Sequence, residues 1–468
     1  MTITEHADIL VIGAGPGGSL AAKTAAEKGL KTLFFERGRT PGDKSSSGCG
    51  LPPRCFDKFS FMKELDIPMY KIVYQELHLL DNDLRDRFNI RWSPSDLGET
   101  PAAREYFQIN MYRPGLDRFL ADLAVGAGAE LRASTLVTDV IKDDAGKIIG
   151  VVTDKGEKFG GDVTIAADGA ISKISVQAGL REKWNPRDIT LTVDCDFEAS
   201  DERIREVIGE DEFSNQVYVS PLYPATYIAL MPGGFHVGFG QWLNRFSSPD
   251  DPKPYEYLQN VIRSKPIQKF IKKLDAKPRE FHSHLLPWLS HVPENTFGDG
   301  IILVGDAAGF PCPLEAEGID YAMNSGMFAA ETAAEAIGNG NTSSSGLQGY
   351  ETRWKASTIG EEFSAPKEWA ELWAGVFFDP PQWEKLTQIA NNIMYWASWS
   401  APHIRTFKQE LSFMGENVDF LLEFTKSYLM PLMKKAKVPM ARTMFKLAWK
   451  WLRTKKRPSF FNDNGGLK

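Results

Sequence analysis

The sequence predicts an α/β chain, α+β overall. A parallel-sheet domain built from separated segments carries an inserted mixed β-sheet domain and is followed by a C-terminal helical region. Three observations lead there. A short apolar strand runs straight into a glycine turn and a helix within residues 7–28. Two further buried strands, at 163–167 and 301–304, each end in an aspartate–glycine or glycine–aspartate turn. Stretches at 70–92 and 186–240 alternate like half-buried strands.

A chain of 468 residues is too long for one ordinary core, so two or three packed units are expected. With 43% hydrophobic and 25% charged residues it is neither disordered nor fibrous. Four cysteines without a CxxC pair argue against a zinc site, an iron–sulfur cluster or a disulfide framework, and are expected as reduced thiols in a cytoplasmic protein. With the first strand expected within about eight residues of Met1 no signal peptide is expected, and no apolar run of ~18 residues is present. Residues 434–468 hold eleven Lys or Arg and one Asp, so this end carries +10 and the rest of the chain −17.

Residues Ala7–Ile12 form the first strand, Gly13, Gly15, Gly17 and Gly18 punctuate the turn, and Ser19–Lys28 continues as helix. That order builds the nucleotide-binding half of a Rossmann-type unit. Gly13 permits the tight turn, Gly15 lets a pyrophosphate approach the backbone, and Gly18 lets helix and strand pack closely. The phosphates then meet free N–H groups at the helix N-terminus. A second strand, Lys31–Phe35, ends in Glu36, eighteen residues after Gly18. A carboxylate there accepts hydrogen bonds from an adenosine ribose and repels a 2′-phosphate. On these residues the ligand is an adenine dinucleotide, NAD or FAD.

Val163–Ala167 leads into Asp168, Gly169 and Ser172, and Ile301–Val304 into Gly305, Asp306 and Gly309. These stations, GxGxxG, ADGxxS and GDAAG, resemble the FAD-binding set of the p-hydroxybenzoate hydroxylase superfamily over residues 7 to about 335. The resemblance implies an FAD contacted by Gly13, Gly15, Gly17, Gly18, Glu36, Arg37, Asp168, Gly305, Gly318 and Ile319. It also implies that Arg113, in Tyr112–Asp117, reaches the phosphates and that Asp306 holds the ribityl chain. A carboxylate at a strand end suits ribityl hydroxyls, although an ordinary strand-end turn is the alternative. The small-residue segment from Gly318 is expected as a helix whose N-terminus stabilises the charge that develops on the flavin.

No second GxGxxG opens another βαβ unit, so electrons arrive from a transient nicotinamide or from a protein carrier. The third station lacks the histidine and Gly-x-Asn helix start of aromatic hydroxylases. With Ser325-Gly326 and Ala329-Ala330-Glu331 it resembles the branch of geranylgeranyl reductases and electron-transfer-flavoprotein:quinone oxidoreductases. Residues 227–240 are expected as a hairpin turning at Gly233-Gly234. Geranylgeranyl reductases carry Tyr-x-Trp-x-Phe-Pro there. This chain keeps Tyr227 and Pro232 but has Ala229 and Met231 between them, which argues against halogenation and departs from the prenyl-lipid pattern.

Cys49, Tyr227 and Glu317 are the candidate catalytic residues. Cys49 lies in Ser45–Gly50, which resembles the family segment near the isoalloxazine; a packed, inert thiol is its alternative. Glu315 and Glu317 precede a helix, where carboxylates ordinarily serve as caps. His282, His284 and His291 show no base partner and are expected at the surface or in the core. Neither a metal site nor a nucleic-acid partner is expected.

The FAD-binding domain is expected at residues 1–69, 104–185 and 281–345, and the substrate domain at 70–103 and 186–280, with helices near 201–208 and 254–274. A low-complexity link at 338–346 marks the boundary to a helical region, 350–468. There Met444, Leu447 and Trp451 share one side of a helix, and Arg442, Lys446, Lys450 and Arg453 another. Residues 434–461 thus suit peripheral contact with the cytoplasmic membrane face or docking of an acidic electron-carrier protein, against the plainer alternative of core stripe and solvated face. The expected activity is FAD-dependent transfer of hydride or electrons to an apolar unsaturated acceptor, an isoprenoid C=C bond or a quinone. An electron relay between a protein carrier and a membrane quinone pool, and a monooxygenase, are the alternatives.

Overall fold

The computed structural model describes residues 3–43, 50–93, 95, 108–220, 225–246, 253–312, 317–364, 366–368, 385, 423 and 425–431. The chain opens with β1 (Glu5–Ile12), α1 (Pro16–Glu27) and β2 (Thr32–Phe35). β1 is fully buried from Ile9 to Ile12, as an inner parallel strand requires. Pro16 starts α1 where no N–H partner is needed, and Gly29, at φ +79°, turns the chain out of it. Next come β3 (Gly50–Leu51), β4 (Met69–Ile72), β5 (Tyr74–Leu80), β6 (Asp86–Trp92), β7 (Gln108–Met111), α2 (Arg113–Gly126) and β8 (Glu130–Arg132). β9 (Val137–Lys142), β10 (Ile148–Thr153) and β11 (Lys158–Ala166) lead to β12 (Ile189–Glu198), β13 (Ser214–Val219), β14 (Thr226–Met231) and β15 (Gly234–Trp242). α3 (Pro254–Arg263), α4 (Lys265–Leu274), β16 (Lys277–Pro287), β17 (Phe297–Gly298), β18 (Ile301–Leu303), α5 (Ile319–Gly338) and α6 (Gly349–Lys355) follow.

Among the described residues these strands form three sheets. The first has the order β17-β18-β11-β1-β2-β8, with β10 and β9 added beside β11; β18, β11, β1, β2 and β8 run parallel. α1 and α5 cross so closely that a Cβ on Gly326 would overlap the Gly17 carbonyl oxygen. The second sheet has the order β16-β12-β15-β14-β13-β5-β6, and β3-β7-β4 form the third. Alternation along β12 and β15 sends Cys195, Phe197, Phe235, Val237 and Phe239 into a core shared with Leu258, Val261, Ile267 and Leu274 of α3 and α4. Asp194, Asp196, His236 and Gly238, at the intervening positions, belong to the opposite face.

Three features differ from the sequence expectation. The hairpin turns at Pro232-Gly233, one residue early: Gly233 has φ +79°, while Gly234 is already in β15 and a Cβ on it would overlap the Phe197 carbonyl oxygen. β16 carries the second sheet to Pro287, past the expected return at 281, because β12 pairs with it along its whole length. The described residues just past the low-complexity link pack with the first sheet, while most of the expected region 350–468 lies outside the described residues. Tyr350, Trp354, Ile359 and Phe363 are fully buried in the core of the first sheet, and the Tyr350 hydroxyl donates to the Leu303 carbonyl at 2.7 Å. Among the described residues no helix is long and apolar enough to cross a membrane. Cys49, Glu315 and the basic stretch 434–461 lie outside the described residues.

Candidate active site

β1, β2, β11 and β18 are parallel neighbours, so the turns that follow them emerge at one end of the sheet. Backbone bonds tie these ends together: Gly13 N–H to Phe35 O (2.8 Å), Ala167 N–H to Ile12 O (2.9 Å) and Val304 N–H to Ala166 O (3.0 Å). Gly13 holds φ +103°, and a Cβ on Gly18 would overlap the Gly13 carbonyl oxygen. A Cβ on Gly17 would lie 3.1 Å from the Ala322 carbonyl oxygen. Around Gly15 nothing lies within 4 Å of such a Cβ, so the backbone entering α1 stands open.

Glu36 spans the glycine turn: one carboxylate oxygen accepts from Ala14 N–H (3.2 Å), the other from Gly38 N–H (2.6 Å), and Arg37 beside it is exposed. Arg113 is the first residue of α2 and donates Nε–H to Asp117 (2.7 Å). Asp168 accepts from Ile174 N–H at Oδ2 (3.2 Å), its buried Oδ1 has no partner in the protein, and burial raises its pKa. Gly305, at φ +55°, donates N–H to Ser325 Oγ (3.0 Å). Asp306 comes within 3.5 Å of the position a Cβ on Gly318 would take, and Gly318 and the buried Ile319 open α5. Glu317 Oε1 accepts from Asp320 N–H at 2.9 Å, a capping contact, and burial pushes its carboxyl up to about 7.

The second sheet meets these strand ends where His284 Nε2 lies 4.0 Å from Asp306 Oδ2. Asn110 of β7 donates to Asn215 Oδ1 (2.8 Å) and to the Leu230 carbonyl (2.7 Å), and Gly50, the residue after Cys49, pairs with Asn110. Gly50, where the described chain resumes, therefore lies in β3 beside β7.

On that sheet face the Tyr227 hydroxyl donates to Asp194 and lies 3.5 Å from His236 Nε2. His236 Nδ1 meets Asp196 at 2.5 Å, and Asp196 also receives Arg279 (2.8 Å) and His282 (3.2 Å). Burial would lower the His236 pKa, but Asp194 and Asp196 outweigh it and raise it to about 10. Burial and Asp194 hold the Tyr227 hydroxyl well above its usual range. Sequence reasoning found Tyr227 but missed Asp194, Asp196 and His236, and found no partner for His282. The legible signal was Asp194-Cys195-Asp196: carboxylates two apart on a strand share a face.

The arrangement suits a bound dinucleotide: the Gly15 backbone is open, the buried Asp168 Oδ1 awaits a donor, and α1 presents its N-terminus to the gap. A parallel sheet with this site at its strand ends, and a second sheet closing over it, defines a dinucleotide-dependent oxidoreductase. The FAD binding domain family matches residues 6–363. Digeranylgeranylglycerophospholipid reductase of Methanothrix thermoacetophila is 32% identical, over 76% of this chain and 85% of that protein. Protein FixC of Azorhizobium caulinodans is 30% identical, over 70% of this chain and 76% of that one. A geranylgeranyl bacteriochlorophyll reductase-like protein of Thermoplasma acidophilum shares the fold, with TM-score 0.69 and 22% identity over 92% of this chain and 99% of its own. This chain belongs to the geranylgeranyl reductase family of FAD-dependent oxidoreductases.

Proposed function

We propose that the protein reduces carbon–carbon double bonds in the isoprenoid chains of a lipid. The observation that carries this is the kinship with digeranylgeranylglycerophospholipid reductases, 32% identity along most of both chains. FAD, when bound, supplies the hydride. Gly13, Gly15, Gly17 and Gly18 would receive its pyrophosphate on α1, Glu36 and Arg37 its adenosine, Arg113 its phosphates, and Asp306 its ribityl chain, with Asp168, Gly305, Gly318 and Ile319 beside them. Reduction of an isolated C=C bond asks the protein for orientation, exclusion of water and a proton. β14 offers a wall that includes Ala229 and Met231, with Tyr227 as the polar group. Cys49 and Glu317 are the other candidate groups. Residues 434–461 would hold this body against a membrane from which the lipid enters.

Anaerobic incubation of reduced holoprotein with a digeranylgeranyl glycerophospholipid, followed by mass spectrometry, tests the proposal. The lipid is expected to gain one hydrogen molecule per reduced bond; unchanged lipid under full reduction sinks it. A second reading, transfer of electrons from a protein carrier to a quinone, is supported by the absence from the sequence of a second GxGxxG unit for a nicotinamide. Flavin reoxidation by quinone and not by the lipid would favour that reading.

A further inference from the structure

The second sheet carries a row of ionisable groups that the dinucleotide site does not use. It starts at Tyr227 on β14, crosses Gly238 on β15 to Asp194 on β12, and continues through His236 and Asp196 to His282 and Arg279 on β16. Gly238 makes the crossing possible, because a Cβ there would overlap Asp194 Oδ1 and lie 2.9 Å from the Tyr227 hydroxyl. Glycine inside a strand weakens it, so close approach of two side chains is a reason for its presence. His236 and Asp194 are 1% and 2% exposed, whereas His282 is 15%, Arg279 31% and Glu280 58% exposed. The row therefore runs from the interior to the sheet edge. Burying two carboxylates and an imidazole on one sheet face is costly, and a hydrophobic replacement would often be at least as stable.

We propose that this row is a proton supply line, with Tyr227 as the group that delivers the proton to the acceptor and His236 as the group that restores it. The inference rests on the reading that the acceptor is reduced at this sheet face. Reduced FAD, held by the residues named above, would supply the hydride for one alkene carbon and would be oxidised in doing so. The π pair takes the Tyr227 proton at the other carbon. His236 Nε2–H, 3.5 Å from the phenol oxygen, reprotonates the resulting phenolate. Asp196 accepts His236 Nδ1–H and keeps that proton in place, so Nε2 is the nitrogen that gives up its proton and regains one from water between turnovers, while His282 and Arg279 hold Asp196 from the sheet edge.

The charges that face His236 are Asp194 and Asp196 from β12, with Tyr227 from β14 and His282 and Arg279 from β16 completing the row. The two carboxylates keep its imidazole charged up to about pH 10, so the proton is present throughout the neutral range. The acids hold and orient; Tyr227 alone would touch the acceptor.

Two measurements on the FAD-loaded protein test this. The first is imidazole ¹⁵N NMR, with His236 assigned by its loss in His236→Gln. An imidazolium signal at neutral pH is expected in the wild type, and its titration should move to lower pH in Asp196→Asn. A neutral His236 in the wild type overturns the proposal whatever the acceptor is. The second is rapid mixing of dithionite-reduced protein with a digeranylgeranyl glycerophospholipid and, separately, a short-chain quinone. Tyr227→Phe should slow reoxidation about 10²-fold or more, and Asp196→Asn should shift the fall in rate to lower pH. Gly238→Ala, which leaves every acid and base in place, should slow it in the same sense. Wild-type rates in Tyr227→Phe overturn the supply line and spare the reductase reading. Failure of the wild type with both acceptors overturns both.

Discussion

Gly13 and Gly18 meet backbone to backbone: the space a Cβ would need on Gly18 is filled by the carbonyl oxygen of Gly13. Gly15, between them, faces nothing within 4 Å and has an ordinary φ of −75°. The fold therefore requires Gly18, whereas nothing in the fold requires Gly15, for which approach of a ligand is the proposed reason.

Those reasons separate experimentally. Gly18→Val is expected to abolish folding, because neither partner is a flexible side chain. Gly15→Val is expected to leave the apoprotein folded, with a far-ultraviolet spectrum and melting cooperativity like those of the wild type, but nearly colourless after purification. A yellow Gly15→Val protein would show that the pyrophosphate does not approach there.

Trp354 tests where the first domain ends. Its side chain is fully buried against Phe310, with ring centres 5.1 Å apart, in the core of the first sheet. Trp354→Ala should cost about 3–5 kcal/mol of stability, and a chain stopped after Gly346 should fail to fold. Trp354→Phe should cost far less, since it keeps a ring and removes an indole N–H that has no partner. Denaturant unfolding monitored through flavin release measures all three.

The parallel strands and their glycine turns were legible because each rule is local: period, turn residue and following helix fall within a few tens of residues. The ends of β11 and β18 came from the same kind of signal. What stayed hidden depended on partners distant in sequence. The start of the region expected at 350–468 reads as separate in sequence because nothing local says that Tyr350 bonds to Leu303, 47 residues earlier. The Tyr227 row stayed hidden because strand order β12-β15-β14 sets Asp194 beside a hairpin more than thirty residues later. The turn lies at Pro232-Gly233, one residue before the expected place, because two glycines in succession satisfy either placement and only the pairing of β12 beside Gly234 decides.

Glu317 links stability to pH with a definite sign. Burial raises its carboxyl from 4.5 to about 7, so the folded chain holds a proton that the unfolded chain releases. Its contribution is fully present below about pH 4.5 and is lost as pH rises through about 7. Glu317→Gln keeps an oxygen to accept from Asp320 N–H and cannot ionise. It should therefore be more stable than wild type above neutrality, by about 1–2 kcal/mol after allowance for partial solvent access, and indistinguishable at acid pH. Thermal midpoints of the holoprotein and the variant across that range measure it. A parallel pH dependence in both would show that Glu317 is ionised in the folded protein.

The basic stretch 434–461 rests on two physical contributions that can be separated. Burying the side that bears Met444, Leu447 and Trp451 would supply roughly 0.8 kcal/mol per methylene equivalent. Cations such as Arg442, Lys446 and Lys450 near an anionic surface would add about 1 kcal/mol each, screened by salt. Either alone gives marginal binding; together they predict strong co-sedimentation with anionic vesicles at low salt, weaker at high salt, and little with neutral vesicles. A chain truncated after Tyr428 should retain its flavin, because the proposed dinucleotide site draws on residues before 320, and should lose vesicle binding. Equal binding by both forms would remove the membrane role. If the truncation bound vesicles normally but lost only its reduction by an electron-carrier protein, the basic stretch would be a docking surface. A lipid acceptor would then have to reach the Tyr227 face by another route.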